Sequence, residues 1–425
     1  MMQIAKDAKN ASIAMAKLSS KGKDGALTAI ANAIRANAAK IIKANEMDLT
    51  KAKADDISDV LYKRLKFDEA KIAEVCAGIE SLIALGDPIG EALSKTELDD
   101  GFILEQVRCP IGVLGIVFES RPDALVQISA LALKSSNAVL LKGGSEARNT
   151  NRVLAEIIYE AGVGAGVPDG WLGLLEDRSD VAAMLSMSDY IDLIIPRGSN
   201  EFVKYIMDNT NISVMGHADG ICHVFIDKDA DEAMAVDVAF DSKCQYPAVC
   251  NAMETLLVHK DIAAEVLPDL AAKLAEADVE IRGDENVRGV IDCGLANEED
   301  WRTEYNDFIL AIKIVNSLED AISHINKYGS GHTDAIVTGD ESAANRFMQL
   351  VDSADVFWNC STRFADGFRF GLGAEVGVST GKIHARGPVG LEGLTIYKWK
   401  LIGNGQTVAM YSGKQGRKYK HRKLR

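Results

Sequence analysis

Cys250 is the side chain in this sequence best set for covalent chemistry. It lies in Asp241-Ser-Lys-Cys-Gln-Tyr-Pro-Ala-Val-Cys-Asn-Ala-Met-Glu254, a loop between two apolar blocks, with the amide Asn251 directly after it. The thiolate is the reacting form of cysteine, and a loop that opens a helix lowers a thiol pKa through unpaired backbone N–H groups. The same N–H groups can hold an oxyanion. A cysteine near a proline is by itself more often a small buried hydrophobe, so the surrounding elements decide.

Those elements alternate. Leu27, Ile30, Ile34 and Ile41 recur at helical spacing on an Ala-rich background, which predicts packed helices over the first hundred residues. Ile111 to Phe118 is a continuous apolar run with β-branched residues, as in a strand buried on both faces. A helix from Asp123 to Ser135, a strand Ala138 to Leu141, a helix near Arg152 to Ala161 and a strand Trp171 to Leu175 follow, the pattern of a doubly wound α/β domain. The strand Leu193 to Ile195 runs into Pro196-Arg-Gly-Ser199 and then a helical stretch, which is how dinucleotide phosphates are held at a helix N-terminus. A second α/β set begins near His223 and carries the cysteine loop, Thr255 to His259 and Phe308 to Val315. Leu394 to Met410 alternates around Gly403-Asn-Gly405, which predicts a hairpin.

Composition excludes several classes. The 425 residues are 47% hydrophobic, enough for two or three domain cores. Seven scattered cysteines without C-x-x-C spacing argue against a disulfide framework or zinc site, and fit a reducing cytoplasm. The seven histidines show no H-E-x-x-H, so no metal is expected. Net charge is −15, which repels nucleic acid, and no apolar run reaches membrane-spanning length. The basic end from Lys414 to Arg425 reads as a solvated, disordered terminus. Gly371-x-Gly373-x-x-x-Gly377 misses the Rossmann glycine spacing, and Lys382 followed by Ile383 misses the P-loop.

Together Val117-Phe-Glu-Ser-Arg-Pro-Asp123, Leu140-Leu-Lys-Gly-Gly144, Lys243 to Glu254, Ser330-Gly-His-Thr-Asp334 and Phe368 to Gly377 carry a family resemblance. Over nearly its whole length the chain resembles the aldehyde dehydrogenase superfamily, and within it the reductases of acyl phosphates. The resemblance implies an α/β fold with a Rossmann-type cofactor domain (1–98 and 112–219), an α/β catalytic domain (220–390), a small β oligomerisation element (99–111 and 391–413) and the tail 414–425. It implies NADPH-dependent reduction of γ-glutamyl 5-phosphate to glutamate 5-semialdehyde through a cysteine thioester, the second step of proline biosynthesis. A homo-oligomer and transient contact with glutamate 5-kinase are further expectations.

The family nucleophile maps onto Cys250 rather than Cys244. Ser120 takes the place of the family's oxyanion-binding Asn. The base Glu of hydrolytic relatives would fall within Met215-Gly-His-Ala-Asp219, which has none; His217 stands there as a candidate acid. Lys142 maps near the adenosine ribose, and Ser145 replaces the acid that binds a ribose 2′-OH, favouring NADP. Arg197, Gly198 and Ser199 map near the pyrophosphate, and Glu304 onto the residue that grips the nicotinamide ribose. Arg121, Asn359, Ser361, Thr362 and Arg363 are candidates for a substrate bearing both charge signs. A hydrolytic NAD-dependent dehydrogenase and a silent partner of glutamate 5-kinase are the alternatives; the missing Glu opposes the first, and Cys250, Lys142 and Glu304 together oppose the second.

Overall fold

Five helices open the chain; Met2–Met15 packs on the first sheet, while Ser20–Ala36, Ala38–Ala54 and Glu69–Ala84 pack on one another and on the helices Pro122–Lys134 and Arg148–Gly164. Ser20–Ala36 is capped by Ser19, whose side chain accepts from the Gly22 N–H, and it buries Leu27, Ile30 and Ile34. Asn37 separates it from Ala38–Ala54, which buries Ile41. A computed structural model describes residues 1–119, 121–217 and 219–425, with the side chains of Asp59, Val60 and Arg178 left aside.

The first sheet is parallel, with strands in the spatial order Leu172–Leu175, Ala138–Lys142, Val113–Phe118, Leu193–Arg197. Numbered along the chain this is 3-2-1-4, half of a doubly wound sheet. Its switch point lies between Val113–Phe118 and Leu193–Arg197, where ligands sit beyond the strand carboxyl ends. Val113–Phe118 is buried at every position, as its apolar run predicts. Pro122 at the first helical turn starts Pro122–Lys134, one residue ahead of the expected helix.

The second sheet has seven parallel strands in the order Gly294–Leu295, Glu280–Gly283, Ile309–Val315, Met253–His259, Cys222–Ile226, Thr333–Val337, Asp355–Trp358. Helices such as Glu232–Cys244, Ala263–Glu276 and Leu318–Tyr328 join its strands. On the last of these, buried His324 packs between Trp301 and Tyr328, ring centroids 5.5 and 4.5 Å away. Burial, with the nearby charges of His223, Lys313 and Lys327, holds its pKa down at about 2, against 6.5 in an ordinary histidine. The native state keeps this ring neutral while the unfolded chain protonates it below pH 6.5. This contribution to stability is therefore complete above pH 6.5 and is lost as pH falls, by about 1.4 kcal/mol per unit. Urea unfolding at pH 7.5 and pH 5 will show a loss from this group of about 2 kcal/mol, and His324→Phe will flatten that slope.

The third sheet corrects two expectations. It is antiparallel, in the order Thr395–Ile402, Phe102–Pro110, Ala92–Asp99, Arg422–Lys423. No hairpin forms over 394–410: after Thr395–Ile402 the chain turns at Gly405 into a short 3-10 helix, Val408–Tyr411, where Tyr411 stacks on Phe102 and its hydroxyl donates to Asp99. The hairpin is instead Ala92–Pro110, turning at Asp100-Gly101, so the sheet starts inside the segment assigned to the cofactor domain. The basic end is not free either. Arg422 and Lys423 pair as strand with Thr96 and Glu97, Arg422 reaches Glu97 at 2.6 Å, and Lys420 bonds Asp100. Acids on the sheet edge attract a cationic end that composition alone reads as solvated.

Candidate active site

A cavity of about 500 Å³ opens between the first two sheets, at the carboxyl ends of Val113–Phe118 and Leu193–Arg197. Its walls bring together Arg121, Arg197, Gly198, Ser199, His217, Cys250 and Glu304, residues spread over nearly two hundred positions of sequence. Two sheet edges meet here. Facing the carboxyl edge of the first sheet is the amino edge of the second, where neighbouring strands Met253–His259, Cys222–Ile226 and Thr333–Val337 begin. Cys250, Cys222 and His332 stand at those three starts.

The cysteine loop is pinned at both ends. Lys243, ending its helix, bonds Glu254, starting the next strand, at 2.6 Å with both side chains fully buried. Burial pushes the Glu254 carboxyl up to about 7 against the opposing pull of Lys243. Inside the loop, Thr362 Oγ1 donates to the Asn251 carbonyl, Asn251 Nδ2 donates to the Ala365 carbonyl, and the Cys222 thiol lies 3.2 Å from the Cys250 carbonyl. Gly220 passes directly over Cys250: an added Cβ would sit 2.3 Å from its carbonyl oxygen and 2.6 Å from its Cα. Those are backbone atoms that cannot swing aside. Gly220→Ala will displace the thiol and lower kcat about 100-fold while the protein stays folded, as kinetics beside circular dichroism will measure.

Arg121 and Arg197 line the same cavity as the Cys250 thiol. Desolvation pulls the Arg197 guanidinium below its usual range, and the field of Arg121 adds to this while Glu375 and Cys250 oppose it. Both arginines remain charged. Arg121, which also pairs with Asp123 at 3.3 Å, and Arg197 line the cavity that holds Cys250, an arrangement able to hold an anion. Arg363 also feels Cys250 and donates from Nε to Gln245 Oε1 at 3.0 Å.

Several candidates turn out to be engaged by the fold. Asn359 exchanges hydrogen bonds with the Thr338 backbone, its Oδ1 accepting at 2.9 Å and its Nδ2 donating at 3.0 Å. Ser361 Oγ accepts from Arg363 N–H and caps a 3-10 turn, and Thr362 holds the cysteine loop. None of the three lines the cavity. Lys142, buried at its strand end, donates to the Gly143 carbonyl at 2.7 Å, and burial lowers its pKa. Ser145 starts the turn Ser145–Ala147 ahead of Arg148–Gly164. Ser120 lies outside the described residues. His217 Nδ1 lies 2.9 Å from the Val378 carbonyl, which can only accept, so Nδ1 carries the proton and Nε2 a lone pair. Neutral His217 therefore offers a lone pair at Nε2 to the cavity side of the ring.

The cavity also holds Arg64, Glu119, Asn306 and Glu375, none of them singled out from sequence. Glu119 and Glu375 lie inside Val117–Asp123 and Phe368–Gly377, the stretches that carried the resemblance, so a polar residue within them was a usable signal. Arg64 had none. Partial burial and the field of Glu146 push the Glu119 carboxyl up, while the Ser199 N–H donates to it. Asn200 Nδ2 donates to Glu304 at 2.6 Å and to Asp219 at 2.8 Å, which fixes Glu304 at the mouth of the helix Asn200–Asp208.

A loop cysteine placed between a 3-2-1-4 sheet and a second α/β unit is the plan of an aldehyde dehydrogenase. The chain belongs to the aldehyde dehydrogenase family, whose family model matches residues 1–289. Within it the chain falls among the γ-glutamyl phosphate reductases. That of Acetivibrio thermocellus is 59% identical over 422 residues, covering 99% of this chain and 98% of the relative. That of Pelotomaculum thermopropionicum is 59% identical over 424 residues, covering 100% and 98%. The crystal structure of γ-glutamyl phosphate reductase from Thermotoga maritima superposes with a TM-score of 0.93 at 40% identity, covering 96% of this chain and 99% of that one.

Proposed function

We propose that this chain reduces γ-glutamyl 5-phosphate to glutamate 5-semialdehyde, with release of phosphate, through a thioester on Cys250. The observation that carries this reading is the pairing of Arg121 and Arg197 beside Cys250, a cationic wall suited to an acyl phosphate or carboxylate next to a thiol nucleophile. The lone pair on His217 Nε2 takes the thiol proton. The thiolate attacks the acyl carbon, the carbon–oxygen bond to phosphate breaks, and phosphate leaves with the electron pair. Arg121 and Arg197 hold the departing anion.

The cofactor proposed is NADPH, and the residues present fit a dinucleotide. Gly198 leaves a cradle in which a Cβ would press on Glu119 and Phe202, at 3.0 and 3.1 Å. Ser199 begins the following helix without a side-chain cap, so first-turn N–H groups face the mouth of the cavity. Lys142, Ser145, Gly198, Ser199 and Glu304 would hold the cofactor, with Ser145 adding no carboxylate against a 2′-phosphate. When bound it supplies hydride to the thioester carbon. Collapse of the resulting thiohemiacetal releases the aldehyde, and the imidazolium of His217 returns its proton to sulfur.

No Glu stands at residues 215–219, where hydrolytic relatives carry the base that activates water, which favours transfer to phosphate over hydrolysis. The test is a spectrophotometric assay of the purified protein with glutamate 5-semialdehyde and NADP⁺, with and without phosphate. NADPH formation that requires phosphate is the expected result. Turnover without phosphate would assign a hydrolytic dehydrogenase instead. A homo-oligomer is part of the same reading: Thr395–Ile402 has one free edge and exposes Ile396, Tyr397, Trp399, Leu401 and Ile402.

A further inference from the structure

Among the described residues, Cys250 Sγ and one ring nitrogen each of His217 and His332 lie within 4.8 Å of one another. The two rings meet edge to face, centroids 4.7 Å apart. His332 is fully buried, yet among the described residues its Nε2 has no hydrogen-bond partner, an arrangement that costs free energy unless something fills it. Both rings are held from behind. His217 Nδ1–H donates to the Val378 carbonyl at 2.9 Å. His332 Nδ1 lies 2.8 Å from Thr333 Oγ1, which itself donates to Asp355 Oδ2 at 3.5 Å, so Nδ1 carries the proton and Nε2 a lone pair. The Cys222 thiol sits 3.7 Å from His332 Nδ1, on the side away from that lone pair, and so is not a further ligand.

Imidazoles with one nitrogen anchored to a carbonyl or hydroxyl and the other free are oriented as zinc ligands are. One thiolate and two imidazoles make a soft nitrogen–sulfur set with a tetrahedral position left open to the cavity. We propose that Cys250, His217 and His332 form a reversible binding site for Zn²⁺, or a divalent ion of like softness, which switches the reaction off by occupying the nucleophile. Binding breaks the S–H bond of Cys250, releases that proton to solvent and forms a metal–sulfur bond, with no change of oxidation state. Arg121 and Arg197 oppose a bare dication; the thiolate cancels one of its charges, and the open position admits an anion that the arginines also hold.

The test uses the full chain with Co²⁺ as a spectroscopic probe and Zn²⁺ in calorimetric titration. One equivalent is expected, with a sulfur-to-cobalt charge-transfer band and tetrahedral visible bands, all lost in Cys250→Ala. His332→Gln and His217→Asn should each weaken Zn²⁺ at least tenfold; His217 is only half-buried, so its variant keeps the test decisive if the His332 variant fails to fold. Binding undiminished in Cys250→Ala, or cobalt bound without the sulfur band, would overturn the site. The inhibitory effect rests on the function proposed above, whereas the spectra and titrations do not, so the two readings fail separately.

Discussion

Cys250→Ala will abolish phosphate-dependent NADPH formation, by about 10⁴-fold or more, with unfolding behaviour close to that of the parent. The effect is large because in the proposed reaction every covalent step passes through this sulfur, and neither nearby cysteine is placed to replace it. Cys222 is buried and its thiol is pushed well above the ordinary cysteine range by desolvation. Cys244 is raised by burial too, and it lies on the helix before the loop, outside the cavity. Residual turnover of a tenth or more, measured by single-turnover absorbance, would place the nucleophile elsewhere. Retained binding of the cofactor in the variant separates lost chemistry from a lost site.

Lys243→Met will destabilise the protein by about 3–5 kcal/mol, because it leaves Glu254 buried without its cation. The remaining hydrogen bond to the carboxylate is from the Asn306 N–H at 3.2 Å. With Lys243 gone, only that N–H opposes the burial that already raises Glu254 to about 7, so its folded pKa rises further above 4.5. A raised acid is easier on the fold while protonated, so the deficit is smallest at acidic pH and grows as pH climbs through neutrality. Urea unfolding at pH 5, 6.5 and 8 will read this slope. Lys243→Met/Glu254→Leu should recover most of the loss, since an apolar pair of similar volume removes both desolvated charges. A flat pH dependence would mean that Glu254 reaches water. Because the pair joins the two ends of the cysteine loop, the single variant should also lose kcat more than KM.

Patterns that depend on neighbours in sequence were legible. The buried strand Val113–Phe118, the strand–glycine–helix turn at Gly198 and the loop that carries Cys250 each follow from apolar runs and turn residues a few positions apart. Asn359, Ser361 and Thr362 look available as a sequence, yet their side chains face backbone that must be satisfied in the interior, at Thr338, Arg363 and Asn251. Their chemistry is real and its direction was hidden. The expected hairpin failed for a similar reason: alternation around Gly403-Asn-Gly405 specifies a turn, while the packing of Tyr411 on Phe102 decides where the chain goes next.

The sequence by itself determined the kind of fold and the candidate nucleophile, because periodicity, turn chemistry and reactive side chains are local properties. Tertiary structure alone decided what surrounds that nucleophile. Cys250, Cys222 and His332 become neighbours only because Thr333–Val337, far along the chain, lies beside the consecutive strands Cys222–Ile226 and Met253–His259, and Arg197 shares a cavity with the thiol only because the edges of two sheets face each other across it. The ordered basic end obeys the same physics, since its acidic partners lie more than three hundred residues earlier in the chain and are adjacent only across the third sheet.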